Sequence, residues 1–444
     1  MNILMVENRY KTYFWDALAQ QFIADGHTVR WVVQNPLFTP IHGQATVIAF
    51  PRGSNLTPLA NDEVCTRTCK SDRLLNYFGG QPTHYNYYKS AIWQALDQAK
   101  PDLVIGEATL FHELLAVEWC KQHQVPFFHP SMPGYPGGRY SIYAGDSKEA
   151  IGVSTDCPTD EDCFALAEAI RKREKVPDYM RPSLPSDPGR VFPIHGSWPN
   201  RLTLIKSYLS GERFNTPSPL KKWRLDKAVK TRLARWAQIS SGRFHLQAEQ
   251  HYLLYPMQMQ PESNLDLWGQ AFRNQADLIG ALAQAIPDNW KLLVKLNPKT
   301  KYELDDALLE QVMRRDNIVP VPYEVAMGEL LEHVTMICTV TGTIAVEAVL
   351  SRKPLVQFGP GILSGEPGYV QLQNVECISQ VIRDVESGAF PLADDAARTH
   401  LVKKLFTSTF TGLVSDPASL PSVLDPSNVQ TIARNLLQVA ERCE

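Results

Sequence analysis

Nowhere in the chain do 18 apolar residues run together, which excludes a membrane-spanning helix. The N-terminal MNILMVENRYK carries only a short apolar run before charges intervene, too little for the core of a secretory signal. Charge of one sign is also missing: the net charge is −3, so nothing draws the whole molecule to nucleic acid, and any anionic ligand must be held locally. Cysteines occur at 65, 69, 120, 157, 163, 338, 377 and 443 without zinc spacing. Cys65 and Cys69 have no second pair downstream, and several of the others sit in apolar runs, so reduced thiols in a cytoplasmic protein are expected.

What is present is a long, ordinary globular composition: 444 residues, 44% hydrophobic and 20% charged. Domains of roughly 100–200 residues imply two of them. Strand-like runs alternate with helical patterns from the first residue, the signature of parallel βα units. Asn2 to Val6 reads as a strand, followed by the polar loop Asn8-Arg9-Tyr10-Lys11, a helix from Tyr13 to Ala24 and a strand from His27 to Val33. A helix from Tyr85 to Ala99, a strand from Leu103 to Gly106, a helix from Phe111 to His123 and a strand from Pro126 to His129 complete one Rossmann-like half. The second half starts near His251, with strands at Tyr252–Pro256, Lys291–Val294 and Ile318–Val321 and helices at about Leu267–Ala285 and Leu304–Arg314.

The expected boundaries are 1–240 for an N-terminal Rossmann-like domain, 245–425 for a C-terminal Rossmann-like domain, and 426–444 for a helix that can cross back to the first. Residues 177–220, rich in Pro, Ser, Gly and aromatics, read as a loop-rich insertion. The run Lys221 to Trp236 carries seven basic residues against Asp226, with Trp223, Val229, Leu233 and Trp236 as a partial helical stripe. A solvated face is the ordinary reading, and docking to a membrane surface or an acceptor phosphate is the functional one.

Chemistry-bearing residues gather at predicted strand ends. The segment Met336 to Gly359 runs from a strand through Thr341-Gly342-Thr343 into a helix with Glu347 on its second turn. Gly342 permits close backbone approach, Thr341 or Thr343 can cap the helix, and its N-terminal N–H groups attract an anion. Glu347 could reach a ribose hydroxyl. A strand–TGT–helix is equally an ordinary capped βα junction. The strand at 252–256 delivers Gln258, Gln260, Pro261, Glu262 and Ser263, where base, ribose or sugar contacts are expected, although Ser263 or Asn264 could simply cap a helix. The next strand ends in Lys295-Leu296-Asn297-Pro298, placing a lysine to face a phosphate.

QPE after a strand, a K-x-N-P turn, and T-G-T-x-x-x-E followed by RKPLV-x-FG together resemble the capsule polysaccharide biosynthesis family that includes the bacterial β-Kdo transferases. Gly106-Glu107-Ala108-Thr109-Leu110-Phe111-His112 is similar to the family's segment with an acidic residue and a histidine at a strand end. The resemblance implies a GT-B fold, α/β with two Rossmann-like domains facing across a cleft. It implies a glycosyltransferase moving a Kdo-like ulosonic acid from a CMP-sugar onto a capsular or surface polysaccharide acceptor. Two departures stand out: Asn297-Pro298 where the family usually has His-Pro, and Met132-Pro133 where retaining members have an acidic pair before Gly-Tyr. A covalent glycosyl–carboxylate route therefore does not carry over.

Glu107 is the candidate general base for an acceptor hydroxyl, with His112 and His129 as possible orienters or bases. Gln258, Gln260, Glu262, Ser263, Lys295, Asn297, Thr341, Gly342, Thr343 and Glu347 are the candidate donor-binding residues. The nearest match to a metal-binding D-x-D, Asp160-Glu161-Asp162, follows Thr159 and opens a helical pattern, so it reads as an acidic first turn, and no metal or cofactor beyond the nucleotide-sugar is expected. The implied partners are a glycan or glycolipid acceptor and the inner membrane or capsule assembly proteins, with no nucleic acid. Alternatives are a GT-B transferase or epimerase using a UDP- or GDP-sugar, and a non-catalytic capsule assembly or export partner.

Overall fold

Short runs of Val, Ile, Leu and aromatic residues form two separate sheets in the computed structural model, which describes residues 1–178 and 198–442. In chain order the strands are β1 (Asn2–Val6), β2 (Thr28–Val33), β3 (Gln44–Val47), β4 (Leu103–Ile105), β5 (Phe127–Ser131), β6 (Arg139–Ala144) and β7 (Ala150–Ile151). They continue with β8 (His251–Pro256), β9 (Trp290–Lys295), β10 (Ile318–Pro320), β11 (Met336–Thr339), β12 (Leu355–Gln357), β13 (Tyr369–Gln371) and β14 (Phe410–Thr411).

The first sheet has the order β14-β6-β5-β4-β1-β2-β3, with β7 beside β6. Its run from β3 to β5 is parallel throughout, while β6, β7 and β14 are antiparallel additions. The second sheet, β10-β9-β8-β11-β12-β13, is parallel at every pairing. Each sheet therefore contains the doubly wound order in which the chain starts in the middle, moves outward, then returns to the other side. The expected fold class, α/β with two Rossmann-like domains, is the one observed. The central strands are buried on both faces, as their continuous apolar runs require.

The domain boundaries differ from expectation. One compact unit consists of Met1–Asp156, Pro177–Lys221 and Phe406–Glu444, and the other of Cys157–Val176 and Lys222–Leu405. The return to the first unit thus begins at Phe406, twenty residues before the helix expected to make it. β14 joins the first sheet beside β6, and the helix Pro426–Ala440 lays Val429, Ile432, Leu436 and Val439 into a core shared with Phe14, Leu18 and Phe22 of the helix Thr12–Ala24. A two-residue strand carries no readable periodicity, which is why the sequence conceals it. Residues 179–197 of the insertion at 177–220 lie outside the described residues, and Trp198–Ser210 is a helix.

Two helices also depart from their predicted extents. The helix expected over 267–285 is reduced to Gln275–Ala285, capped by the Asn274 side chain, and short turns at Asn264–Trp268 and Gln270–Phe272 precede it. Gly269 lies between those turns, where a β-carbon would come within 2.5 Å of Val340 Cγ1 and 2.9 Å of the Asn264 carbonyl. The turns are therefore pressed against the end of β11. The basic run lies in a longer helix, Pro219–Arg243, anchored by Trp236, whose indole donates to the Val321 carbonyl at 2.9 Å, while Trp223 is 60% exposed. Asp160-Glu161-Asp162 is the first turn of the helix Asp160–Arg171, with the Thr159 hydroxyl accepting from Asp162 N.

Candidate functional site

Open parallel sheets bind ligands beyond the C-terminal ends of their strands, where the strand order reverses. In the second unit that point lies between β8 and β11, so it is formed by Gln258 after one strand and Thr341-Gly342-Thr343 after the other. The two meet directly. With its amide oxygen toward the turn, Gln258 accepts from Gly342 N at 2.6 Å and Thr341 N at 3.3 Å. The Thr341 hydroxyl donates to the Asn264 carbonyl at 2.9 Å, and Thr343 occupies the N-cap of the helix Ile344–Leu350 without a capping side-chain bond.

At the expected phosphate cradle the N–H groups of Thr341 and Gly342 are accepted by the chain's own glutamine. An incoming phosphate must displace that amide or bind beside it. A β-carbon at Gly342 would lie 3.1 Å from both the Gln258 side-chain amide and Thr339 Oγ1, so the first neighbours to move are protein atoms. Gly342→Val should displace Gln258 and weaken nucleotide binding at least tenfold while the protein stays folded, as calorimetry can measure. Unchanged affinity in a folded variant would remove the turn from the site.

Most of the other expected donor contacts serve internal purposes. Gln260 donates from Nε2 to Asp266 Oδ1 (3.2 Å) and the Arg273 carbonyl (3.1 Å), and its oxygen accepts from Gln275 Nε2 (3.1 Å). Gln275 also bonds both backbone groups of Gln258 and the Tyr255 hydroxyl, so this buried amide network fixes the segment after β8. Such networks hold geometry when every member is satisfied. Glu262 donates its backbone N–H to Asp266 Oδ2 at 3.1 Å, and buried Ser263 stands at a helix start without a capping bond.

Lys295 does not face open space. Its ammonium donates to the carbonyls of Tyr323 (2.6 Å) and Pro322 (3.3 Å), and burial lowers its pKa. It anchors the loop after β10, a role that the strand-end position could not distinguish from phosphate binding. Asn297 closes a local turn, accepting from Lys299 N at 2.8 Å. Glu347 is buried and ion-paired with Arg173. Arg173 was not singled out in the sequence, because its segment, 157–176, precedes the domain to which it belongs.

In the first unit the corresponding reversal lies between β1 and β4, and it gathers Glu7, Asn8, Lys11, Glu107 and Glu113. Glu107 follows β4 as expected, but it is ion-paired with Lys11, and His129 Nε2 lies 3.5 Å from its other oxygen. Burial pushes this carboxyl up, but Lys11 and His129 outweigh it and hold the pKa at about 2. A carboxylate so stabilised is ionised at neutral pH and is a weak proton acceptor. The two histidines are also buried and held by neighbours. His112 is buried with Nε2 bonded to the Glu7 carbonyl (2.8 Å) and Nδ1 beside Asn215 Nδ2 (3.3 Å), and burial lowers its pKa. His129 is 1% exposed and held beside Glu107.

Glu7 and Glu113 are buried carboxyls that the sequence did not single out. Burial raises the pKa of each. Glu113 accepts from Leu110 N (2.8 Å), Thr109 N (3.1 Å) and Asn8 Nδ2 (2.7 Å), capping the helix Phe111–His123. Glu7 accepts from Asn35 N at 3.0 Å and lies against His112. The signal for Glu7 was its place directly after the first strand. Among the described residues no three His, Cys, Asp or Glu side chains come together as a metal site, and no helix is long and apolar enough to cross a membrane.

The geometry defines an α/β protein with two Rossmann-like units, each with polar residues at its strand-order reversal. Residues 205–372 match the family model described as capsule polysaccharide biosynthesis protein, the family the sequence resembles. That segment contains the QPE, K-x-N-P and TGT motifs and ends before the return to the first unit. No curated protein matches the chain. Among solved structures, UDP-GlcNAc 2-epimerase from Neisseria meningitidis is similar at 12% identity over 100% of both chains, with a TM-score of 0.27. MurG from Acinetobacter baumannii is 11% identical over 98% of this chain and 99% of its own, with a TM-score of 0.28. The wall teichoic acid polymerase TagF is 11% identical over 99% and 89%, with a TM-score of 0.26. Scores of this size carry nothing about activity.

Proposed function

We propose that the protein is a glycosyltransferase of capsular or surface polysaccharide synthesis, taking its sugar from a nucleotide donor bound at the reversal between β8 and β11. The observation that supports this best is the meeting of Gln258 with the Thr341-Gly342 turn, inside the segment that matches the capsule family. The acceptor oxygen would form the new bond to the anomeric carbon as the bond to the donor phosphate breaks, releasing the nucleotide and one proton. The donor proposed is a CMP-linked ulosonic acid, on the family resemblance of these motifs, and no metal is assigned a part.

Thermal unfolding with CMP, UDP and GDP tests the reading. A ligand that binds only the folded protein adds about 2.7 kcal/mol of stability at 100 times its Kd, and CMP should be the nucleotide that does so. Preferential stabilisation by UDP or GDP would move the donor to that class. No stabilisation by any of the three would favour the second reading, a non-catalytic assembly partner, for which the internal engagement of Lys295 and Glu347 is the supporting observation.

Docking to an anionic membrane surface is proposed for the exposed basic turns at the start of the helix Pro219–Arg243, where Leu220 and Trp223 stand exposed among Lys221, Lys222, Arg224 and Lys227. Reversing those four charges to Glu should sharply reduce sedimentation with vesicles of anionic lipid at low salt. Equal sedimentation of both proteins would leave the helix a solvated face.

A further inference from the structure

Arg173 is held in a conformation that non-glycine residues rarely adopt, with φ of 59°, directly after the helix Asp160–Arg171. Its guanidinium pairs with Glu347 Oε2, and the two side chains are 20% and 3% exposed. Gly328 makes room for it: a β-carbon there would lie 3.2 Å from Arg173 Cδ. A guanidinium has five N–H donors, and among the described residues Glu347 is the one side chain that accepts from this one. The guanidinium, on a side chain partly open to solvent, is held by Glu347, which lies one helical turn past Thr343. A planar fork held in that way suits an oxyanion better than a flexible ammonium does.

The expected phosphate ligands do not supply this charge. Lys295 is committed to two backbone carbonyls, and the N–H groups of Thr341 and Gly342 are accepted by Gln258. We infer that Arg173 is an oxyanion-binding residue of the donor site, taking the nucleotide phosphate or the carboxylate of its sugar while it holds Glu347 in place. This rests on the proposed nucleotide-sugar donor, and it adds a residue from a segment that precedes the second unit in sequence.

Titration calorimetry of the full-length wild type, Arg173→Gln and Arg173→Lys with CMP, cytidine and a free 3-deoxy-2-keto sugar acid tests it, with melting temperatures establishing that each variant is folded. If the phosphate is the ligand, Arg173→Gln should bind CMP at least tenfold more weakly and cytidine within twofold of wild type, with Arg173→Lys intermediate. Loss confined to the sugar acid would support the carboxylate as the source. Unchanged affinities in the folded variants would overturn the inference. So would equal losses for CMP and cytidine, since these would mean that Arg173 acts through Glu347 alone. A wild type that binds none of the three would instead overturn the donor reading, and the inference with it.

Discussion

Replacing Arg139 with methionine should destabilise the first unit by about 3 kcal/mol, the upper end of the cost of leaving a buried acceptor without its partner. Arg139 opens β6 and is 7% exposed, yet every guanidinium nitrogen is satisfied. Nε donates to Thr409 Oγ1 (2.8 Å), Nη1 to Asp156 Oδ2 (3.1 Å) and Thr411 Oγ1 (3.0 Å), and Nη2 to Ser154 Oγ (3.1 Å) and the Thr409 carbonyl (2.6 Å). These partners lie just before the point where the chain leaves the first unit and on the segment where it returns. Methionine fills much of the same volume but offers no donor, so the buried Thr409 carbonyl loses its strongest partner. Chemical denaturation should show the loss, and hydrogen exchange should show it spread through residues 406–411. A loss below about 1 kcal/mol, within the range of ordinary surface changes, would mean that β14 pairing alone holds the segment.

Much of the central architecture was legible because buried parallel strands announce themselves as unbroken apolar runs. β1, β8, β9 and β11 fall where the sequence places them, and the polar residues that follow each one fall at its C-terminal end. Connectivity was harder to see. The helix Asp160–Arg171 was recognised from its acidic first turn and Thr159 cap, but nothing local says that it belongs with residues 222–405, because membership is decided by packing against the helix Ile344–Leu350. The same limit applies to chemistry. A lysine or glutamate at a strand end looks alike whether it faces a ligand or a neighbouring loop. Lys295 was distinguished by the carbonyls of residues 322 and 323, and Glu347 by Arg173, partners about 28 and 174 positions away in sequence. Gln258 is the informative exception, since both its strand and the turn it touches were singled out, and only their contact was missing.

Glu107→Gln should reveal a carboxylate whose effect on stability depends strongly on pH. The folded pKa of about 2 lies below the ordinary 4.5, so the ionised form is favoured by folding, with Lys11 and His129 as the cause. The contribution is therefore fully present above the unfolded pKa and declines as pH falls toward the folded one. At about 1.4 kcal/mol per pKa unit the difference amounts to about 3 kcal/mol at neutral pH and about half of that at pH 3. The variant keeps the shape and hydrogen-bonding capacity of the side chain, so what it loses is charge. The stability gap between wild type and Glu107→Gln, measured by urea denaturation, should be widest above pH 5 and narrow steadily on acidification. Lys11→Met should remove most of that pH dependence by itself, since it takes away the stronger partner of the same carboxylate. A gap that stays constant from pH 7 to pH 3 would show that the ion pair does not hold Glu107 in its charged form.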